Sequence, residues 1–218
     1  MKHQTEKICV SLGGMPFDEC MQFASMWSLV EIRLDLIHQI DTEKITLLAR
    51  QCRQWIATCR PGNLTECERK ELLSAAVRSG ATYIDLEYEA EAAYRQPLVN
   101  LAGKYGCKVI ISYHNFESTP DIETLNRIIR HSTVMGADCV KLAVTANSSA
   151  DCAKIMSIYS KHNNLIAFAM GEVGKITRIA APLLGAEFTF ASVDEAHITA
   201  PGQLTASQME EIYRICSE

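Results

Sequence analysis

Short apolar runs alternate with longer amphipathic stretches along most of this chain. The β-rich runs begin at Ile8 (ICVSL), Leu29 (LVEIRLDLI), Trp55 (WIATCR), Tyr83 (YIDLEYE), Lys108 (KVIISYHN), Cys139 (CVKLAV), Leu165 (LIAFAM) and Glu187 (EFTFASV). Helical spacing fills segments 42–51, 66–79, 91–105, 121–135, 150–161 and 175–184, and a last helix at 206–216 closes the chain. Strand then helix, repeated at roughly 20–30 residues per unit, predicts parallel strands with right-handed crossovers. Eight such units close into a (β/α)8 TIM barrel. One domain over residues 1–218 is expected, with lean loops, because the fold usually takes about 250 residues. A doubly wound open sheet usually carries G-x-G-x-x-G after its first strand, and SLGGMPF at 11–17 does not fit that pattern.

Alternation within the runs sharpens the picture, since residues i and i+2 share a strand face. In the second run Val30, Ile32, Leu34 and Leu36 oppose Glu31, Arg33 and Asp35. Thr58 and Arg60 share a face in the third run, and Asp85 and Glu87 oppose Ile84 and Leu86 in the fourth. Ser112 and His114 oppose Ile111 and Tyr113, and Lys141 opposes Val140 and Leu142. An antiparallel sheet with one wet face would also alternate, but the intervening helices argue against it. In a barrel the apolar row meets the helices, so polar groups from at least five strands converge inside. Buried charges must be paired or functional, and barrel active sites lie at the C-terminal ends of the strands.

Composition removes several classes of function. The net charge is −5, without a basic cluster, so nucleic acid is not an expected partner. No apolar run reaches the roughly 18 residues of a membrane span. The opening MKHQTEKICVSL is too short in apolar residues for a secretory signal, and a cytoplasmic protein is expected. The nine cysteines are scattered and form no C-x-x-C pair, which predicts buried free thiols and neither a disulfide scaffold nor a metal site. The expected partner is a small-molecule substrate, with a homodimer possible and no cofactor required.

Candidate chemistry centres on Lys141 and His114. An ammonium on the inward face of a buried strand is costly, so its pKa should fall. A neutral amine attacks carbonyls and forms Schiff bases. The competing role is a structural ion pair with Glu31, Asp35 or Glu87. His114 stands on the neighbouring strand at a matching depth and could move a proton near neutral pH. His3, His38, His131 and His162 fall in expected helices or loops, whereas His197 in the final loop could line the site. Arg33, Arg60 and Arg178 suit a carboxylate ligand. Gly171 and Gly174, before Arg178, leave a phosphate reading open. Pro201-Gly202 marks a tight turn, flanked by Thr199 and Gln203, which could bond a polyol.

Taken together, these segments resemble the type I 3-dehydroquinate dehydratases. The matching pieces are EIR at Glu31, Ile32 and Arg33 with Asp35, TCR ending at Arg60, YIDLE ending at Glu87, and SYHNF around His114. VKLAV around Lys141, MGEVGKITR ending at Arg178, and TAPGQ at 199–203 complete the series, in order over nearly the whole chain. The resemblance implies dehydration of 3-dehydroquinate to 3-dehydroshikimate in the shikimate pathway of aromatic amino-acid biosynthesis. It implies Lys141 as the Schiff-base lysine and His114 as acid and base. It implies Ser11, Glu31, Arg33, Arg60, Arg178, Thr199 and Gln203 as substrate contacts, without metal or cofactor. Many members carry Glu-Gly-Gly soon after the third-strand arginine, the glutamate orienting the histidine. Here RPGNLTECE stands instead, with Glu66 as the nearest, offset candidate. An aldolase acting on a phosphorylated sugar and a non-catalytic metabolite binder are the alternatives from other classes.

Overall fold

The computed structural model describes residues 7–216. Its strands are β1 (Ile8–Leu12), β2 (Leu29–Arg33), β3 (Gln54–Thr58), β4 (Tyr83–Glu87), β5 (Lys108–Asn115), β6 (Cys139–Thr145), β7 (Leu165–Met170) and β8 (Thr189–Ser192). Between and after them lie α1 (Phe17–Ala24), α2 (Thr42–Gln51), α3 (Glu66–Arg78), α4 (Ala92–Tyr105), α5 (Ile122–Val134), α6 (Ser149–Ser157), α7 (Lys175–Ala180) and α8 (Ala206–Ile215). The sheet order is β7-β6-β5-β4-β3-β2-β1-β8, and the paired strands run parallel. A sheet whose first strand pairs with its last is a nearly closed (β/α)8 barrel, which excludes the open doubly wound and antiparallel arrangements.

The helix starts are written in the sequence. Thr65 and Glu68 form a reciprocal capping box at α3, as do Ser148 and Asp151 at α6 and Thr205 and Gln208 at α8. Each box satisfies backbone N–H groups that the first helical turn leaves open. Asp41 and Asp121 cap α2 and α5 by accepting from Lys44 N and Thr124 N.

Several elements differ from the sequence expectation. The second run leaves the sheet at Arg33, and Leu34–Leu36 forms a 3-10 turn, so Asp35 does not continue the inward row. Helix α1 was not among the expected segments; it has eight residues and no side-chain cap at Pro16. The segments at 150–161 and 175–184 each end in a 3-10 turn, over Ile158–Ser160 and Ala181–Leu183. His3 and the first residues of the opening segment lie outside the described residues. No helix among the described residues is long and apolar enough to cross a membrane. Six of the nine cysteines are buried and Cys52 is half-buried, but Cys67 and Cys216 are exposed.

Two apolar regions set the geometry. Outward strand residues such as Val30, Ile32, Ile84, Leu86 and Ile111 are fully buried beneath the helices. Each such side chain contributes about 1.5–3 kcal/mol relative to exposure. Inside the barrel, Cys9, Leu29, Ile56, Tyr83, Ile110, Cys139, Ile166 and Phe188 supply one residue from each of seven strands and one from the approach to β8. They plug the barrel floor, and the charged groups sit above them.

The barrel is laddered everywhere except between β7 and β8, where no pairing occurs among the described residues. The β7 edge at this seam is satisfied differently. Leu165 O accepts from Glu187 N at 3.3 Å. The Tyr159 hydroxyl accepts from Ala167 N at 2.7 Å and donates to Ala167 O at 2.8 Å. The Thr177 hydroxyl accepts from Ala169 N at 2.7 Å. The rings of Phe168, Phe188 and Phe190 pack on the inner side, 5.5 to 6.0 Å apart between neighbouring centroids.

Candidate active site

A cavity of about 530 Å³ opens at the C-terminal ends of the strands. Its walls include Lys141, His114, Ser11, Glu31, Arg33, Arg60, Arg178, Thr199 and Gln203, so the structure brings these nine candidates together, whereas His197 and Glu66 lie outside the cavity.

Lys141 is 5% exposed. Its Nζ lies 3.4 Å from Asp85 Oδ2 and 3.7 Å from Glu31 Oε1. It also stands 3.8 Å from the centroid of the Phe190 ring. Of the ion-pair partners weighed from sequence, Glu31 is present. Asp35 instead takes Arg33 in a two-pronged bridge, 2.7 and 3.1 Å, and Glu87 is shared by Arg60 and Arg69.

Both carboxylates near the amine are held from other sides. Glu31 accepts from Ser11 Oγ at 2.8 Å and Thr58 Oγ1 at 2.9 Å. Asp85 accepts from Ser112 Oγ at 2.6 Å and Arg60 Nη2 at 2.8 Å. Burial alone pushes the Asp85 carboxyl up, but Arg60 and then Lys141 outweigh it and hold the group at about 2, below its ordinary 3.8. The Glu31 carboxyl is likewise lowered, burial being outweighed by Lys141 and Arg33.

Asp85 therefore couples the site to stability. Asp85→Ala leaves the buried Lys141 and the half-buried Arg60 short of a partner, and breaking a buried pair costs about 3–5 kcal/mol. We expect a lower urea midpoint at neutral pH. A depressed carboxyl pKa stabilises the fold above its unfolded value and loses that contribution as pH falls through the folded value. The gap in midpoint between parent and variant should thus be full above about pH 4 and shrink as pH approaches 2. A gap that does not change with pH would count against this account.

His114 lies on β5 beside β6, yet it is not level with Lys141. The register pairs Ser112 with Lys141 and His114 with Ala143, so the imidazole sits two residues nearer the mouth. Burial first, then Arg60 and Lys141, push its pKa well below the ordinary 6.5. It is therefore a neutral imidazole at physiological pH, the form that accepts a proton. Glu66 does not orient it: that residue is exposed at the start of α3, while the acidic residues sharing the cavity with His114 are Glu31, Glu87 and Glu89. His197 is bonded to Asp194 at 2.8 Å in the final loop and is not among the cavity residues.

Arg178 is the unusual group. It is 1% exposed, and its guanidinium lies 4.1 Å over the Phe168 ring. Nη2 donates to Pro201 O at 3.3 Å, but Nε and Nη1 have no protein partner. Burial without a counter-charge pushes its pKa down to about 10, so it stays a cation at neutral pH. A buried cation that lines a cavity and has two unpartnered donors has the chemistry that suits a carboxylate.

The loop opposite is set by backbone contact. Thr199 N and Oγ1 both donate to Gln203 Oε1, at 2.9 and 3.1 Å. Gly202 has φ +69°, and a Cβ there would stand 2.4 Å from Gly171 O. Only glycine permits this approach. Gly171 N, Gly174 N and Lys175 N are bonded to the carbonyls of Pro201, Gly171 and Glu172, so these three amides are not free to cradle phosphate. Among the described residues, no three His, Cys, Asp or Glu side chains are grouped to hold a metal ion.

The sequence reading did not assign Asp85, Phe168, Phe190 or Glu89 to the site. Strand alternation carried the signal for the first three, since each occupies an inward position.

Fold and cavity together define a (β/α)8-barrel enzyme whose pocket surrounds a buried amine with carboxylates, a neutral imidazole and an open guanidinium. More particularly, the chain belongs to the type I 3-dehydroquinase family, whose model matches residues 8–218, and is a carbon-oxygen lyase. It is 38% identical over 224 aligned residues to the 3-dehydroquinate dehydratase of Desulfotalea psychrophila, covering 96% of this chain and 97% of that one. The crystal structure of the 3-dehydroquinate dehydratase from Aquifex aeolicus matches with TM-score 0.80 at 29% identity, covering 95% of this chain and 97% of that one. A deoxyribose phosphate aldolase from Aeropyrum pernix, at 16% identity and TM-score 0.65 over 96% of this chain and 90% of that one, shares the fold alone.

Proposed function

We propose that this chain dehydrates 3-dehydroquinate to 3-dehydroshikimate in the shikimate pathway through a Schiff base at Lys141. The Lys141 amine attacks the C3 ketone. Counted from the resting ammonium, the ketone and lysine become an iminium ion and one water. The iminium draws electron density from C2 and acidifies its proton. His114, neutral at the start, takes that proton. It then returns it to the C1 hydroxyl, which departs as water. Hydrolysis of the product iminium restores the ammonium. Arg178 holds the substrate carboxylate, while Ser11, Glu31, Arg33, Arg60, Thr199 and Gln203 bind the rest of the ring.

The observation that carries this reading is the shared cavity of a buried amine, a neutral imidazole and a guanidinium with two open donors. The test is intact mass after incubation with dehydroquinate and borohydride. A stable increment on Lys141 is expected, and an unchanged mass would reject the covalent route.

Arg178→Ala should raise KM. A charge-assisted hydrogen bond contributes about 1.5–3 kcal/mol, so the rise should be roughly 10- to 150-fold for one lost bond. An unchanged KM would remove Arg178 from the carboxylate site.

A further inference from the structure

The ammonium of Lys141 donates up to three hydrogen bonds, but the iminium nitrogen keeps a single proton. Carboxylates that hold the resting amine through its protons therefore lose part of their grip once the bond to substrate forms. An attraction that depends on charge alone does not. The face of an aromatic ring offers such an attraction, and a cation within about 6 Å of the centroid feels it. Lys141 Nζ lies 3.8 Å from the centroid of Phe190, well inside that range. The nearest carboxylate oxygen is at 3.4 Å, longer than the usual 2.7–2.9 Å of a tight charge-assisted bond.

The ring is fixed in place. Phe190 is 3% exposed, with Phe188 edge-on at 5.5 Å and Phe168 tilted at 6.0 Å. A ring face also accepts no proton, so it supports the charge without acting as a base.

We infer that the Phe190 ring face is a catalytic surface for the Lys141 nitrogen, keeping it positively charged as ammonium and again as iminium. The inference rests on the Schiff-base reading above. Its consequence is chemical: a neutral imine is a poor electron sink, so C2 proton removal needs the protonated form. No outside proton is needed: of the three protons on the resting ammonium, two leave with the ketone oxygen as water and the third stays on the iminium nitrogen.

The other charged or titratable groups around this nitrogen include Cys9 on β1, Glu31 on β2, Arg60 after β3, Asp85 on β4, His114 on β5 and Cys139 on β6, with Arg178 on α7 sharing the cavity. A test must leave all of them unchanged. Mono-, di- and trifluorinated phenylalanines at position 190 do so, because they nearly keep the ring's shape while draining its face of electron density. Two quantities are read for each protein: adduct mass on Lys141 after dehydroquinate and borohydride, and kcat against pH.

The adduct should form throughout the series. The basic limb of the kcat profile should move to lower pH stepwise with each fluorine. The total movement should be about one pH unit, a tenfold change in protonation and the size expected of a desolvated cation over a ring. Phe190→Leu, which lacks a π face, should match or exceed the trifluorinated protein. An unmoved limb with the adduct still present overturns the role of the ring and leaves the Schiff base standing. Absence of adduct in the parent enzyme overturns both.

Discussion

Lys141→Ala is expected to abolish turnover and the borohydride-dependent mass increment together. Of all single changes at this site it should have the largest effect on activity, because no other lysine among the described residues lines the cavity. Without an amine the C3 ketone is a weak electron sink, and the remaining groups can only bind the substrate. The fold should survive. Removing the ammonium leaves Glu31 and Asp85 with less positive charge, but Asp85 retains Arg60 and Ser112, and Glu31 retains Ser11 and Thr58. The stability loss should therefore fall below the 3–5 kcal/mol typical of a broken buried pair. Activity, circular dichroism and intact mass on one preparation separate the cases. Adduct on a different lysine in a folded variant would refute the assignment.

His114→Ala should separate the two halves of the reaction. The amine can still reach the ketone, since carbonyl attack does not call for a group that removes the C2 proton. Elimination calls for it twice, first as base and then as acid. A positioned acid–base residue contributes about 10²–10⁴-fold, and kcat should fall at least that far. Substrate imine then accumulates, and borohydride traps it at higher occupancy than in the parent. The depressed pKa of His114 adds a pH signature. The imidazole stays neutral until pH falls well below the ordinary 6.5, so the parent should retain its base into mildly acidic solution. Near-normal kcat in the variant would assign the proton to another group, and loss of adduct in a folded variant would make His114 a participant in imine formation.

Much of this site is legible from the strand pattern. The side-chain period of two is strict, so a run such as KLAV after CV commits Lys141 to one face once Val140 and Leu142 are placed on the other. That logic also identifies Glu31, Asp85 and His114 as inward. It does not give depth. Barrel strands tilt and stagger, so neighbouring inward residues sit at different heights, and His114 stands above Lys141 instead of level with it. Nor does it reveal partners: Asp85 answers both Lys141 and Arg60 because the barrel curls β3, β4 and β6 around one point. The sequence reading also misplaced the end of β2, because Leu34 and Leu36 continue the alternation through a 3-10 turn. Helix α1 escaped notice because eight residues without a side-chain cap give weak signals at both ends. The unpartnered donors of Arg178 have no sequence signature at all; they follow from the apolar surroundings, the Phe168 ring among them, that the fold packs around the guanidinium.

The seam between β7 and β8 bears on how the molecule breathes. Along the other seven strand junctions, separation must break a row of backbone bonds in concert. At this one a single amide, Glu187 N on Leu165 O, crosses from the approach to β8, while the Tyr159 and Thr177 hydroxyls tie the β7 edge to the helical segments beside it, each bond worth about 0.5–1.5 kcal/mol. Partial opening should begin where such bonds are fewest. Phe168 on β7 and Phe190 on β8 meet across this seam, and Arg178 and Lys141 stand over those rings. A fluctuation of this wall would therefore alter the spacing of the two cations, and the seam is the one adjustable stave of the cask.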